Sequence, residues 1–196
     1  TCFESNYAFF ALLRSLGFEG YLTINDMNDN HNCHTACVIM LDTQPYLVDV
    51  GIPLYTAIPI DPTQPTRRES DYHTYTIPPQ RAGVFEISRD RHPAAYIYTL
   101  KNTPINDADY RRATTDDYGE DGLFLNRVVV NKVIDGVQWR FSSDGPPYHL
   151  EAFNNGDKTY YLLGSDLHTV AEKVAHQFEL DQDTVYAALT TVQEMT

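Results

Sequence analysis

The chain has 196 residues, with 14 Lys+Arg against 27 Asp+Glu, a formal net charge of −13, and 42% hydrophobic residues including 12% aromatics. Binding to a phosphate backbone or an anionic membrane surface needs clustered cations, and those here are few and scattered, so nucleic acid and membrane are excluded first. The apolar content is enough for a packed core, and no apolar stretch approaches the roughly 20 residues that span a bilayer.

Residues 3–16 carry Phe3, Tyr7, Phe10 and Leu13 at three- and four-residue spacing, which predicts a helix. Thr1 and Glu4 fit a capping box, Gly17 a stop, and Cys2 falls in the first turn. A polar stretch from Asn25 to Asn32 precedes two apolar runs, Thr35–Leu41 and Tyr46–Val50, that read as a hairpin through Asp42-Thr43-Gln44-Pro45. From Pro53 to Pro79 the chain is proline-rich and reads as a long loop. Strands are expected again at Gly83–Ser88 and Ala94–Leu100, then at Val128–Ile134 and Val137–Phe141 around the turn pair Asp135-Gly136. Tyr148–Phe153 and Thr159–Leu163 read as two more strands. Leu167, Val170, Val174 and Phe178 mark a helix face, and Asp183–Val192 a shorter helix. A helix, a block of antiparallel strands and closing helices make an α+β fold with a barrel-like or strongly curved sheet.

Three cysteines, Cys2, Cys33 and Cys37, are too few for a disulfide framework and point to a reducing, cytoplasmic compartment. Thr1-Cys2-Phe3-Glu4 reads as neither a signal nor a transit peptide. Cys33 and Cys37 with His31 and His34 match no standard zinc spacing, because a second ligand pair is missing downstream. No bound metal or cofactor is expected.

Cysteine is a nucleophile as thiolate, which a helix N-terminus and a nearby histidine both favour. A carboxylate then holds that histidine in one tautomer. Cys2 opens the first helix, His34 leads the first hairpin strand, and Asp49 lies near the end of the second, where cross-strand pairing can bring the last two together. Asp49 stands between Val48 and Val50, and a buried carboxylate needs a partner. The plainer reading is a core cysteine and a structural histidine. His31 is a rival base in a polar loop; His73 and His92 fall in loop-like stretches, and His149, His168 and His176 read as surface or local structural groups.

Cys2-Phe3-Glu4-Ser5-Asn6, followed by Leu12-Leu13-Arg14-Ser15-Leu16-Gly17-Phe18, resembles the cysteine segment of the arylamine N-acetyltransferases, Gly-Gly-x-Cys-x-Glu-x-Asn with a helix ending in Leu-Gly-Phe. His34 at the head of an apolar strand, then Tyr46-Leu47-Val48-Asp49-Val50-Gly51, is similar to the family's His strand and its Asp-Val-Gly-Phe-Gly segment. The resemblance implies a papain-like fold: a catalytic-cysteine helix and loop at 1–33, a β-barrel at 34–125 and a C-terminal α/β lid at 126–196. It also implies a Cys2–His34–Asp49 triad that takes an acyl group from acetyl-CoA or another thioester and passes it to an amine in a ping-pong reaction. The backbone N–H of Cys2 is a natural oxyanion donor.

Departures from the family pattern bear on the substrates. Ile52 and Pro53 stand where the family has Phe-Gly, and are expected to line the acceptor pocket. The family's Ser/Thr-x-x-Pro-x-Ser-x-Phe segment is replaced by Thr114-Thr115-Asp116-Asp117-Tyr118 and Gly122-Leu123-Phe124. Arg67-Arg68 and Arg111-Arg112 are the local clusters that could receive CoA phosphates, although the −13 charge gives a polyanion little long-range attraction. The family's N-terminal helical lobe has no counterpart before Cys2, so a second chain or cleaved segment is expected to supply it. Other readings are an amide synthase of secondary metabolism that uses a carrier-bound or biosynthetic acyl donor, a papain-like hydrolase, and a noncatalytic binding subunit.

Overall fold

The first helix forms as α1 (Cys2–Ser15) in a computed structural model that describes residues 1–119, 122, 124–154 and 156–195. Its end is a Schellman stop: Gly17 takes a positive φ of 91°, Gly17 N–H donates to Arg14 O and Phe18 N–H to Leu13 O. The expected capping box is only partial. The Thr1 hydroxyl donates to the Glu4 carboxylate instead of capping a backbone N–H. Tyr7, Leu12 and Leu16 are exposed along this helix.

Residues 1–117 form one compact unit around an antiparallel sheet in the order β4-β3-β2-β1-β8-β7-β6-β5. Its strands are β1 (Glu19–Met27), β2 (Asn30–Leu41), β3 (Gln44–Val48), β4 (Ile58–Pro59), β5 (Thr66–Glu69), β6 (Thr74–Ile77), β7 (Val84–Arg89) and β8 (Tyr96–Lys101). The edge strands β4 and β5 lie against each other, so the sheet is nearly closed. Val38, Leu47, Ile58, Tyr75, Ile87 and Leu100 are among the side chains that fill it.

Four local expectations are corrected. The polar stretch before β2 is largely strand: β1 pairs with β2 from Glu19↔Met40 to Asn25↔His34. Its buried Thr23 and Asn25 hide the alternation, because neighbouring strands satisfy them; Asn25 Oδ1 accepts from Lys101 N at 3.0 Å. The β2–β3 turn uses two residues, Asp42 and Thr43, both at positive φ, and Gln44 already pairs with Leu41. The proline-rich loop contains β4, β5 and β6, strands of two to four residues and too short to show a period. A helix absent from the sequence reading, α2 (Asp107–Asp117), is polar almost throughout and buries only Tyr110 and Asp117.

Residues 118–196 make the second unit. Strands β9 (Val129–Ile134), β10 (Val137–Ser142), β11 (Tyr148–Asn154) and β12 (Asp157–Gly164) form an antiparallel sheet in the order β12-β11-β10-β9. Asp135 and Gly136 make the expected turn, both at positive φ. Helices α3 (Leu167–Phe178) and α4 (Gln182–Met195) pack with the sheet around Phe141, Leu150, Val174, Phe178 and Leu189. Asp166 caps α3 by accepting from Thr169 N at 2.8 Å. Leu123, part of the divergent segment noted above, lies outside the described residues. No helix is long and apolar enough to cross a membrane among the described residues.

Candidate active site

His34 and Asp49 meet inside the first unit. Cys37 pairs with Val48 across β2 and β3, so extending that register by one residue sets Asp49 opposite Ala36. His34 is two residues further along the same face, a diagonal neighbour within reach of long side chains. Its Nε2 lies 2.6 Å from Asp49 Oδ2, and both residues are buried. Burial opposes charge on His34, but the field and hydrogen bond of Asp49, and then the Cys2 thiol, outweigh it and hold its pKa well above the ordinary imidazole value. Cys2 belongs to the first turn of α1, where backbone N–H groups have no intrahelical acceptor, and its Sγ is 3.9 Å from the Cys33 carbonyl. The structure therefore brings Cys2, His34 and Asp49 together.

Asp49 is saturated with donors. Oδ1 accepts from Gly51 N at 2.8 Å, Ile52 N at 3.1 Å and Asn6 Nδ2 at 2.9 Å, while Oδ2 faces His34. The loop after β3 is thus wound around the carboxylate, as in an Asx turn. Asn6, fully buried one turn along α1 from Cys2, ties the helix to both strands: Nδ2 also donates to Thr35 O at 2.8 Å, and Oδ1 accepts from Val50 N at 3.0 Å. Gly51 permits the close approach. A Cβ there would sit 2.5 Å from Cys2 Cβ and 2.8 Å from Asn6 Nδ2. Tyr98, buried on β8, lays its ring against His34 with centroids 4.5 Å apart.

The remaining candidates separate clearly. His31 is exposed and turned to Asp26 at 3.5 Å, which removes it as a rival base. His73 is buried, with Nδ1 3.0 Å from the Asp90 carbonyl. Cys33 and Cys37 are free thiols, and burial pushes their pKa values up to about 11 and about 12. No group of three His, Cys, Asp or Glu suited to a metal ion occurs among the described residues. Ile52 packs against the barrel core, and the Pro53 carbonyl accepts from the Tyr75 hydroxyl at 3.5 Å. Arg67 and Arg112 pair with Glu69 and Asp109 on their own elements. A cavity of about 500 Å³ between α1 and α2 is lined by Phe3, Tyr7, Tyr110 and Arg111, among others, and by none of Cys2, His34 and Asp49.

The N-acetyltransferase family model matches residues 1–142, which contain this whole arrangement. The chain belongs to the N-acetyltransferase family. No curated protein matches it in sequence. The arylamine N-acetyltransferase of Mycobacterium marinum, solved in complex with CoA, is 18% identical, with a TM-score of 0.80 over 97% of this chain and 75% of that one. The Salmonella typhimurium enzyme is 14% identical, with a TM-score of 0.78 over 96% and 74%. An arylamine N-acetyltransferase of Bacillus cereus, described as having a unique Cys-His-Glu catalytic triad, is 18% identical, with a TM-score of 0.68 over 91% and 72%. These likenesses bear out the expected fold, the papain-like one of the arylamine N-acetyltransferases. None of them points to a second chain as the source of a helical lobe.

Sequence reading under-used three residues. Asn6 was visible four residues after Cys2, a spacing that puts both on one helix face. Gly51 was visible as part of the Asp-Val-Gly segment, but its closeness to Cys2 is a tertiary fact. Tyr98 had no local signal, since nothing in β8 says which ring will lie on His34.

Proposed function

We propose that the protein is a cysteine acyltransferase in which Cys2 is the nucleophile, His34 the base and Asp49 its orienter. Acyl transfer is supported by family membership, and the observation that carries the residue roles is the buried 2.6 Å His34–Asp49 pair beside the helix-opening Cys2. In the first half-reaction the Cys2 thiolate attacks a donor thioester, acetyl-CoA in the simplest case. The bond to Cys2 forms, the donor C–S bond breaks, and imidazolium His34 gives its proton to the departing thiolate. In the second, an amine attacks the acyl-enzyme. The new C–N bond replaces the C–S bond, and neutral His34 takes the proton released from nitrogen. Backbone N–H groups of the first turn of α1, that of Cys2 foremost, serve as the oxyanion donors in this reading, because a helix's first N–H groups lack intrahelical acceptors. Ile52 and Pro53, in the loop wound on Asp49, border the acceptor. A CoA donor is favoured by the M. marinum relative, which was solved with CoA. Three free thiols fit a reducing cytosol.

The test is intact mass after incubation with acetyl-CoA or a carrier-linked acyl thioester. An acyl mass on Cys2, absent from Cys2→Ser and discharged by an amine, is the expected result. No adduct from any thioester donor would leave a binding role; discharge by water alone would make the protein a hydrolase, and a carrier-only donor an amide synthase.

A further inference from the structure

The two buried residues of α2, Tyr110 and Asp117, are seven positions apart and so share one helix face. Tyr110 fixes where that face is held: its hydroxyl donates to the Phe3 carbonyl at 2.7 Å and its ring meets Phe3 edge-on at 5.6 Å. Phe3 is the residue after Cys2. Two turns on, Asp117 is 9% exposed, and its Oδ2 is buried without a hydrogen-bond partner among the described residues. α2 packs against β2, the strand that carries Cys33 and His34, and the Asp117 charge acts on both. A second carboxylate therefore stands by the candidate active site, apart from the one that orients the histidine.

Little in the protein rewards this acid for being ionised. Burial, then Asp116, pushes its pKa up to about 6, with His34 pulling the other way. Asp117 also ends α2, where the helix dipole is negative. A buried acid with no donor costs stability, and such groups concentrate at functional sites. What would relieve it is a cation with N–H donors.

We propose that Asp117 binds and deprotonates the ammonium group of the acceptor, which makes the acceptor a primary alkylamine rather than an arylamine. This rests on the acyl-transfer reading above. An arylamine nitrogen is weakly basic and arrives neutral, needing no carboxylate. An alkylamine has a proton affinity like that of lysine, arrives as ammonium, and must lose a proton before it can attack. The ammonium gives that proton to the Asp117 carboxylate. The neutral amine attacks the thioester carbonyl, the C–N bond forms and the C–S bond to Cys2 breaks. His34 takes the second nitrogen proton and pairs with the released thiolate, and Asp117 returns its proton to water.

The experiment acetylates wild type and Asp117→Asn with p-nitrophenyl acetate, isolates each acyl-enzyme, and follows its discharge by n-butylamine or aniline by mass. Loss of a charge-assisted hydrogen bond should slow butylamine discharge roughly a hundredfold in the variant, while aniline discharge stays within about threefold. Equal slowing of both amines, or no slowing of butylamine, overturns the role of Asp117. A wild-type acyl-enzyme that discharges to aniline and ignores butylamine overturns it as well. Absence of any acyl-enzyme in the wild type would instead sink the acyl-transfer reading, and this one with it. Should Asp117→Asn not fold, the wild type carries the test: n-butylamine should suppress aniline discharge where n-butanol does not, and equal suppression by the two overturns the proposal.

Discussion

Residues 1–117 bury Asn6, Asn25, His34, Asp49, His73 and Asp117, whereas among the described residues of 118–196 Glu151 is the one buried carboxylate, amide or imidazole, alongside the buried hydroxyl of Ser142. Glu151 is compensated at once, by Arg140 at 2.9 Å and by Lys158. The second unit is otherwise an apolar layer between sheet and helices, of the kind that hydrophobic pattern alone specifies. The first unit buries polar groups for a geometry: Asp49 collects four donors, His34 is held against it, and Asp117 is left unmatched. The excess of buried, hydrogen-bonded polar groups coincides with the candidate active site.

That contrast can be broken by substitution. The largest effect is expected at Asp49→Asn, which keeps the shape but loses the charge that holds His34 as imidazolium. Acylation of Cys2 should fall roughly a thousandfold or more, read as the rate of acyl mass gain. Alkylation by iodoacetamide should point the same way: Cys2 should react ahead of Cys33 and Cys37, and the variant should erase that lead. In the second unit, Phe178→Ala removes a core ring at 2% exposure. It should cost about 3–5 kcal/mol of that unit's stability in urea titrations. Acylation of Cys2 under folding conditions should be unchanged; a matching loss of acylation would contradict the division.

The smallest effect sharpens the comparison inside the first unit. The Asp117 pKa is raised in the folded protein, from 3.8 to about 6, so the native state binds that proton more tightly than the unfolded chain. Stability from this group is present below pH 4 and is lost as pH rises through about 6. Asp117→Asn should therefore flatten that fall and gain on the order of 1 kcal/mol at pH 8 relative to pH 4. His34 works in the same sense over a higher range: its raised pKa adds stability that is full below the ordinary imidazole pKa and is lost only as pH climbs through the folded value. A variant less stable than wild type at pH 8 would mean that Asp117 has a structural partner.

The fold class, the first and last helices, the longer hairpins and the residues Cys2, His34 and Asp49 were legible in the sequence. Cys2 opens an amphipathic helix, apolar strands carry His34 and lead to Asp49, and turn residues such as Asp135-Gly136 declare their hairpin. Such signals are local, being periods, caps and turns, and they are readable without a partner. Tertiary structure decided the rest. β1 was obscured because Thr23 and Asn25 are buried polar residues whose partners lie on other strands. α2 was missed because its one aromatic anchor, Tyr110, finds a carbonyl 107 residues away. The clearance at Gly51, the ring of Tyr98 over His34 and the buried Asp117 likewise depend on segments distant in the chain. Hydrophobic burial is averaged over a pattern and survives being read one residue at a time; a hydrogen-bonded site is a set of particular distances, and those exist only after the chain has closed on itself.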